Sequence, residues 1–159
     1  MNFTDCPDVR LAVPEDMPEL MRLANLAHEE NEFWQQSYNP QKVYRTFMRH
    51  FNKQGVLIAV VGEKGQELKG TLVMTIDQPW YSDDWRLLEL ALFVDPAHRK
   101  STYAKQFLTF SKQASEGLKL DLTIGVFSNE QLERKERLYK RQFGRHQAGT
   151  FYHYVPTGA

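Results

Sequence analysis

Residues 87–108 read LLELALFVDPAHRKSTYAKQFL. Leu87 to Val94 is apolar at every position but Glu89, the composition of a strand covered on both faces. Asp95-Pro96 stops the run, because proline has no N–H for a ladder and biases the residue before it. His98-Arg99-Lys100-Ser101-Thr102 then make a basic loop, and behind it Ala104, Phe107, Leu108, Phe110 and Ser111 recur at helical spacing. The stretch therefore predicts a strand, a sharp turn and a helix. The start of a helix gathers unpaired N–H groups and partial positive charge, and here Arg99, Lys100 and Lys105 stand beside it. That combination suits a phosphate or pyrophosphate.

Before this stretch, Val9–Val13 reads as a short strand, and Pro14-Glu15-Asp16 opens a helix with the apolar stripe Met17, Leu20, Met21, Leu23, Ala24 and Ala27. Asn39-Pro40 starts a second helix that ends at Gly55, and Val56–Val61 and Gly70–Ile76 follow as strands joined by a Gly-rich turn. After it, a helix end near Glu116-Gly117, a strand over Leu120–Phe127, a charged helix over Glu130–Gln142 and a last strand over Phe151–Val155 are expected. The order β, α, α, β, β, β, α, β, α, β predicts one domain over 1–159 of mixed α/β (α+β) class. Tight turns pair consecutive strands antiparallel and a helix crossover makes a parallel pair. A central mixed, mostly antiparallel sheet with helices on both faces is the expectation.

The formal net charge is zero, which argues against a protein that attracts nucleic acid over its whole surface. A single cysteine, Cys6, rules out an internal disulfide framework, and the five histidines show no ligand-like pairing, so no metal is expected. No apolar run approaches the length of a membrane span. Cytoplasmic residence without membrane attachment is the default expectation.

The central stretch resembles motif A of the GNAT (Gcn5-related) N-acetyltransferases, in which a strand and Val-x-Pro lead into Arg/Gln-x-x-Gly-x-Gly/Ala at a helix start. The matching residues are Val94, Pro96, Arg99, Thr102 and Ala104, with Thr102 standing where the family usually has glycine. The later run Leu138-Tyr139, with Asn129 after the preceding strand, is similar to motif B, although Phe143-Gly144 reverses the usual order of the closing turn. The similarity runs roughly from Val9 to Val155. It implies an acetyl-CoA-dependent N-acetyltransferase acting on a primary amine of a small molecule or protein, by direct attack in a ternary complex. It further implies that Arg99, Lys100, Ser101, Thr102, Tyr103 and Ala104 cradle the pyrophosphate of acetyl-CoA. A strand bulge would free backbone N–H groups around Leu92, Phe93 and Val94 for the pantetheine and thioester, Asn129 would touch the cofactor arm, and Tyr139 would protonate the leaving thiolate. A homodimer would also fit the family.

Other roles stay open on the residues. Glu89 is either a general base with a raised pKa, acting through water, or a strand-edge residue paired with a cation. Glu30, Phe33 and Trp34, between the first two helices, either line the acceptor cleft, as the resemblance implies, or form a solvated helix end with an aromatic tucked back onto the core. Tyr81 and Asp83, flanked by Trp80, Asp84 and Trp85, either attract a cationic amine or form a turn whose tryptophans anchor it to the core. Two further readings compete: a non-catalytic module working through a protein partner, which Thr102 favours, and a protein binding nucleic acid or RNA polymerase through the basic helix carrying Arg134, Lys135, Arg137, Lys140 and Arg141.

Overall fold

The apolar runs become strands in the order in which they occur. A computed structural model describes residues 5–31, 36–126 and 132–144, and gives β1 (Val9–Leu11), α1 (Met17–Glu30), α2 (Pro40–Phe51), β2 (Val56–Val61), β3 (Gly70–Asp77), β4 (Arg86–Val94), α3 (Tyr103–Leu118), β5 (Asp121–Thr123) and α4 (Leu132–Phe143). Among the described residues one five-stranded sheet runs β1-β2-β3-β4-β5. The first three pairings are antiparallel and β4–β5 is parallel, as a helical crossover through α3 requires. Phe33, Trp34, Asn129 and the expected strand over 151–155 lie outside the described residues.

Alternation along the strands gives each face its own core. Val61, Leu72, Met74 and Leu87 pack with Phe107, Phe110 and Ala114 of α3 on one face. Ile58, Val60, Val73 and Phe93 pack with Leu20 and Leu23 of α1 and Phe47 of α2 on the other. Cys6 is buried in the first core, its Sγ 3.4 Å from Gln113 Oε1. Each fully buried Leu or Phe contributes about 1.5–3 kcal/mol. α4 rests on α3, where Lys112 Nζ donates to Gln142 O at 2.9 Å.

Several boundaries differ from the sequence reading, α2 closing at Phe51 rather than Gly55 among them. β1 stops at Leu11, and Pro14–Asp16 forms a 3-10 turn before α1 rather than the first turn of the helix. The cause is Asp16, fully buried, which accepts from the Val13 and Gly65 N–H groups at 2.9 and 3.0 Å and from the Arg10 guanidinium at 2.7 and 2.9 Å. α3 runs past Gly117 to Leu118 and closes on Lys119, which takes a left-handed φ of 56°. The strand expected over Leu120–Phe127 is only Asp121–Thr123, with residues 124–126 outside it.

Gly70 holds a close approach between β3, β4 and α3. A Cβ there would stand 2.9 Å from Phe93 O and 3.1 Å from Phe107 Cε2. Gly70→Val is expected to lower the unfolding free energy by about 2–3 kcal/mol in urea titration; an unchanged midpoint would show that the strands give way freely.

Candidate functional site

The site grows from one irregularity in β4. Val73 pairs with Ala91 and Met74 with Glu89, so Leu90 is an extra residue with no partner on β3. Leu92, Phe93 and Val94 are regularly paired with Leu72, Thr71 and Gly70. This corrects the expected bulge around Leu92–Val94. Opposed residues of an antiparallel pair share a face, so Leu87 and Glu89 look toward α3 while the bulge swings Ala91 and Phe93 to the α1–α2 face. On its far edge β4 is paired with β5 only from Arg86 to Leu88. From Glu89 onward that edge has no partner strand among the described residues.

Glu89 marks the point where the strands part. It is partly buried, and burial pushes its carboxyl pKa up to about 8 against the pull of the Gly125 N–H, which donates to Oε2 at 3.0 Å. Sequence reading allowed a pairing with lysine or arginine, and no such pair occurs among the described residues. Tyr139 reaches the same region from α4. Burial, and then the nearby Glu89 charge, raise its pKa well above the ordinary phenol value. A reluctant acid and a firmly protonated phenol thus share one electrostatic environment.

The basic loop begins at Asp95. This buried residue accepts from the Ala97 N–H at 3.0 Å and from Arg22 Nη1 of α1 at 2.8 Å, and its own N–H donates to Lys69 O at 3.0 Å. Arg22 also donates to Leu68 O at 2.9 Å and to both oxygens of Glu19. The Arg22 hydrogen bond holds the Asp95 carboxyl below its usual range. Farther along, Ser101 Oγ donates to His98 O at 2.6 Å and accepts from the Tyr103 N–H at 3.3 Å. The N–H groups of Thr102, Ala104 and Lys105 have no acceptor among the described residues. Thr102 has φ −91°, so no left-handed backbone is needed there, and its Oγ1 accepts from Gln106 Nε2 at 2.9 Å. Lys100 and Lys105 are exposed beside these amides. Arg99 is differently committed: its guanidinium is 2.6 Å from both oxygens of Glu30 and lies over the Phe93 ring at 5.6 Å.

On the opposite face lies a cavity of about 440 Å³. Leu23 and Ala27 of α1, Val43 and Phe47 of α2, and Val73, Ala91 and Phe93 of the sheet form its walls, with Leu90 at the strand end of it. His28, donating to Gln36 O at 2.7 Å, and Tyr38 close one end, their rings 5.2 Å apart. The Tyr38 hydroxyl is buried without a hydrogen-bond partner among the described residues, and burial pushes its pKa up.

A sequence model of the acetyltransferase (GNAT) family matches residues 22–144. The chain belongs to the GNAT acetyltransferases. Solved structures share its fold. An integron cassette protein from the mobile metagenome of Cole Harbour Salt Marsh aligns with TM-score 0.71 and 22% identity over 97% of this chain and 93% of that one. A predicted acetyltransferase from Clostridium acetobutylicum, solved with acetyl-CoA, aligns with TM-score 0.68 and 11% identity over 92% and 94%. The aminoglycoside 6'-N-acetyltransferase AAC(6')-Ig from Acinetobacter haemolyticus aligns with TM-score 0.65 and 11% identity over 98% of each. No curated protein sequence matches the chain.

On this GNAT scaffold Glu89, Tyr139 and the open edge of β4 come together, and the amides of Thr102 and Ala104 sit beyond the far end of β4. Glu30 is occupied by Arg99. Tyr81 and Asp83 are exposed in the β3–β4 connection and are not among the residues lining the cavity. The tryptophans of that connection do not anchor it: Trp80 is 95% exposed and Trp85 56%. Their neighbours are polar turn residues, and Trp80 meets Tyr81 edge to face at 5.6 Å instead of the core. Sequence reading missed Arg22, which holds Asp95, and Lys42, which lines the cavity. Lys42 had a signal, because a cation in the first turn of α2 opposes the helix dipole. No described group of residues has the makings of a metal site, and no described helix is long and apolar enough to cross a membrane.

Proposed function

We propose that this GNAT protein transfers an acetyl group from acetyl-CoA to a primary amine, with acetyl-CoA lying along the open edge of β4. The observation that carries this reading is the pairing of a carboxyl of pKa about 8 with a protonated phenol where β4 and β5 separate. Acetyl-CoA supplies an activated acetyl group as a thioester. The unpaired N–H groups of Thr102, Ala104 and Lys105, with Lys100 and Lys105, suit its pyrophosphate. Backbone N–H groups of the open β4 edge, from Glu89 to Val94, hold the pantetheine and polarise the thioester carbonyl.

The acceptor enters as an ammonium and must lose a proton before its nitrogen can attack. A carboxylate of pKa about 8 takes that proton far more readily than an ordinary one. Glu89 faces α3 while the cavity lies on the other side of the sheet, so the proton passes through a water at the open edge, where no described strand pairs with β4. As the C–S bond breaks, Tyr139 gives its hydroxyl proton to the thiolate. The nitrogen gains the acetyl group and sheds its second proton, which returns through water to the Tyr139 phenolate; the sulfur gains the phenol proton, and Glu89 gives the first proton to solvent. Asn129 is assigned to the cofactor arm, and Phe33 and Trp34 to the acceptor side, on the family pattern alone.

Calorimetric titration with acetyl-CoA tests the reading. Wild type is expected to bind in the micromolar range, on the order of 8 kcal/mol, and Lys105→Glu to weaken binding about tenfold or more. The substituted residue is exposed, and an acidic residue suits a first helical turn, so folding is retained. Absence of binding in wild type would overturn the reading and return the chain to the non-catalytic alternative.

A further inference from the structure

The cavity beside β4 carries a charge pattern that limits what enters it. Its walls are mostly apolar, with Ser37, Asn39, Thr46 and Thr71 among them, and no aspartate or glutamate lines it among the described residues. Two basic side chains do. His28 stands at the Tyr38 end, and Lys42 is exposed on the first turn of α2 with no ion pair among the described residues. The reacting end is fixed separately: Leu90 and Ala91 of β4 line the cavity and follow Glu89 directly along the strand. A polycation entering here meets no counter-charge among the described residues and one unpaired lysine, whereas an apolar body is desolvated at little cost.

Resting on the acetyltransferase reading, we infer that the acceptor is a small primary amine with an apolar body and an anionic group remote from the reacting nitrogen. The amine sits at the β4 wall, the body fills the cavity between α1 and α2, and Lys42 pairs with the anion at the mouth. Lys42 is thereby a specificity residue that selects against polyamines and other multiply cationic acceptors.

The test compares phenylethylamine, its para-carboxylated derivative and spermidine, by thiol release from acetyl-CoA and by saturation-transfer binding of each amine without acetyl-CoA. Wild type is expected to favour the carboxylated amine over phenylethylamine by about tenfold in kcat/KM and in binding, with spermidine poorest. Lys42→Glu is expected to reverse the order of the first two and leave acetyl-CoA affinity unchanged. Equal or better use of spermidine, indifference to Lys42→Glu, or no binding of the carboxylated amine would overturn the inference. If acetyl-CoA fails to bind while the carboxylated amine binds through Lys42, the catalytic reading falls and Lys42's selection of an anionic amine stands as binding alone.

Discussion

Glu89→Gln is expected to lower kcat for acetyl transfer by about 100-fold or more. Glutamine keeps an oxygen to accept the Gly125 N–H but has no basic form, so the fold persists and proton removal is lost. In wild type, kcat/KM should rise with pH through about 8, where the Glu89 carboxyl ionises. The variant should lack that limb, and a variant with unaltered turnover and profile would remove Glu89 from the mechanism. Stability supplies an independent check with a definite sign. The folded pKa lies above the ordinary carboxylate value of 4.5. The native protein therefore keeps a proton that the unfolded chain gives up, and the Glu89 contribution to wild-type stability falls between pH 4.5 and about 8 and is level above that. Glu89→Gln does not ionise, so its stability relative to wild type should grow across this window, by at most about 5 kcal/mol. Urea unfolding at the two ends of the window reads the difference.

Asp95→Ala should have the next largest effect, on stability and on cofactor affinity together. It deletes the acceptor for the Ala97 N–H and strands the Arg22 guanidinium against Leu68 and Glu19. Loss of a cap and of a part-buried ion pair costs about 2–4 kcal/mol. Asp95 has a folded pKa below its ordinary value. Its contribution is therefore complete at neutral pH and disappears as acid protonates it, and the gap between wild type and variant should close below about pH 4. The basic loop follows Asp95 directly, so acetyl-CoA affinity should fall about tenfold while the pH limb set by Glu89 stays in place. A variant that loses stability but binds acetyl-CoA normally would show that Arg22 and Asp95 brace the fold without shaping the loop.

The architecture was legible where one stretch of chain carried its own instructions. Leu87–Val94, Pro96 and the spacing of Phe107, Leu108 and Phe110 specify strand, turn and helix without help from elsewhere. Glu89 stood out because a carboxylate amid leucines needs a reason. The bulge position was not legible, because it depends on which β3 residue opposes which β4 residue, and that register is set across two chains of side chains packed on opposite faces. Leu120, Leu122, Ile124 and Val126 alternate as a strand should, yet pairing ends at Thr123, opposite Leu88 and just before the β4 bulge. The cavity was hidden for a similar reason. Its walls come from α1, α2 and the sheet, and no segment of sequence contains them together.

The shortness of β5 sets a conflict between robustness and vacancy. Amides along the outer edge of β4 beyond Leu88 bond either to an incoming molecule or to the chain's own continuation past Thr123. Lengthening β5 by a few well-paired residues would add hydrogen bonds and buried area, and the same bonds would seal the groove. Selection for thermal endurance alone would therefore zip this sheet shut, and the fork survives only while something outside the chain competes for those amides.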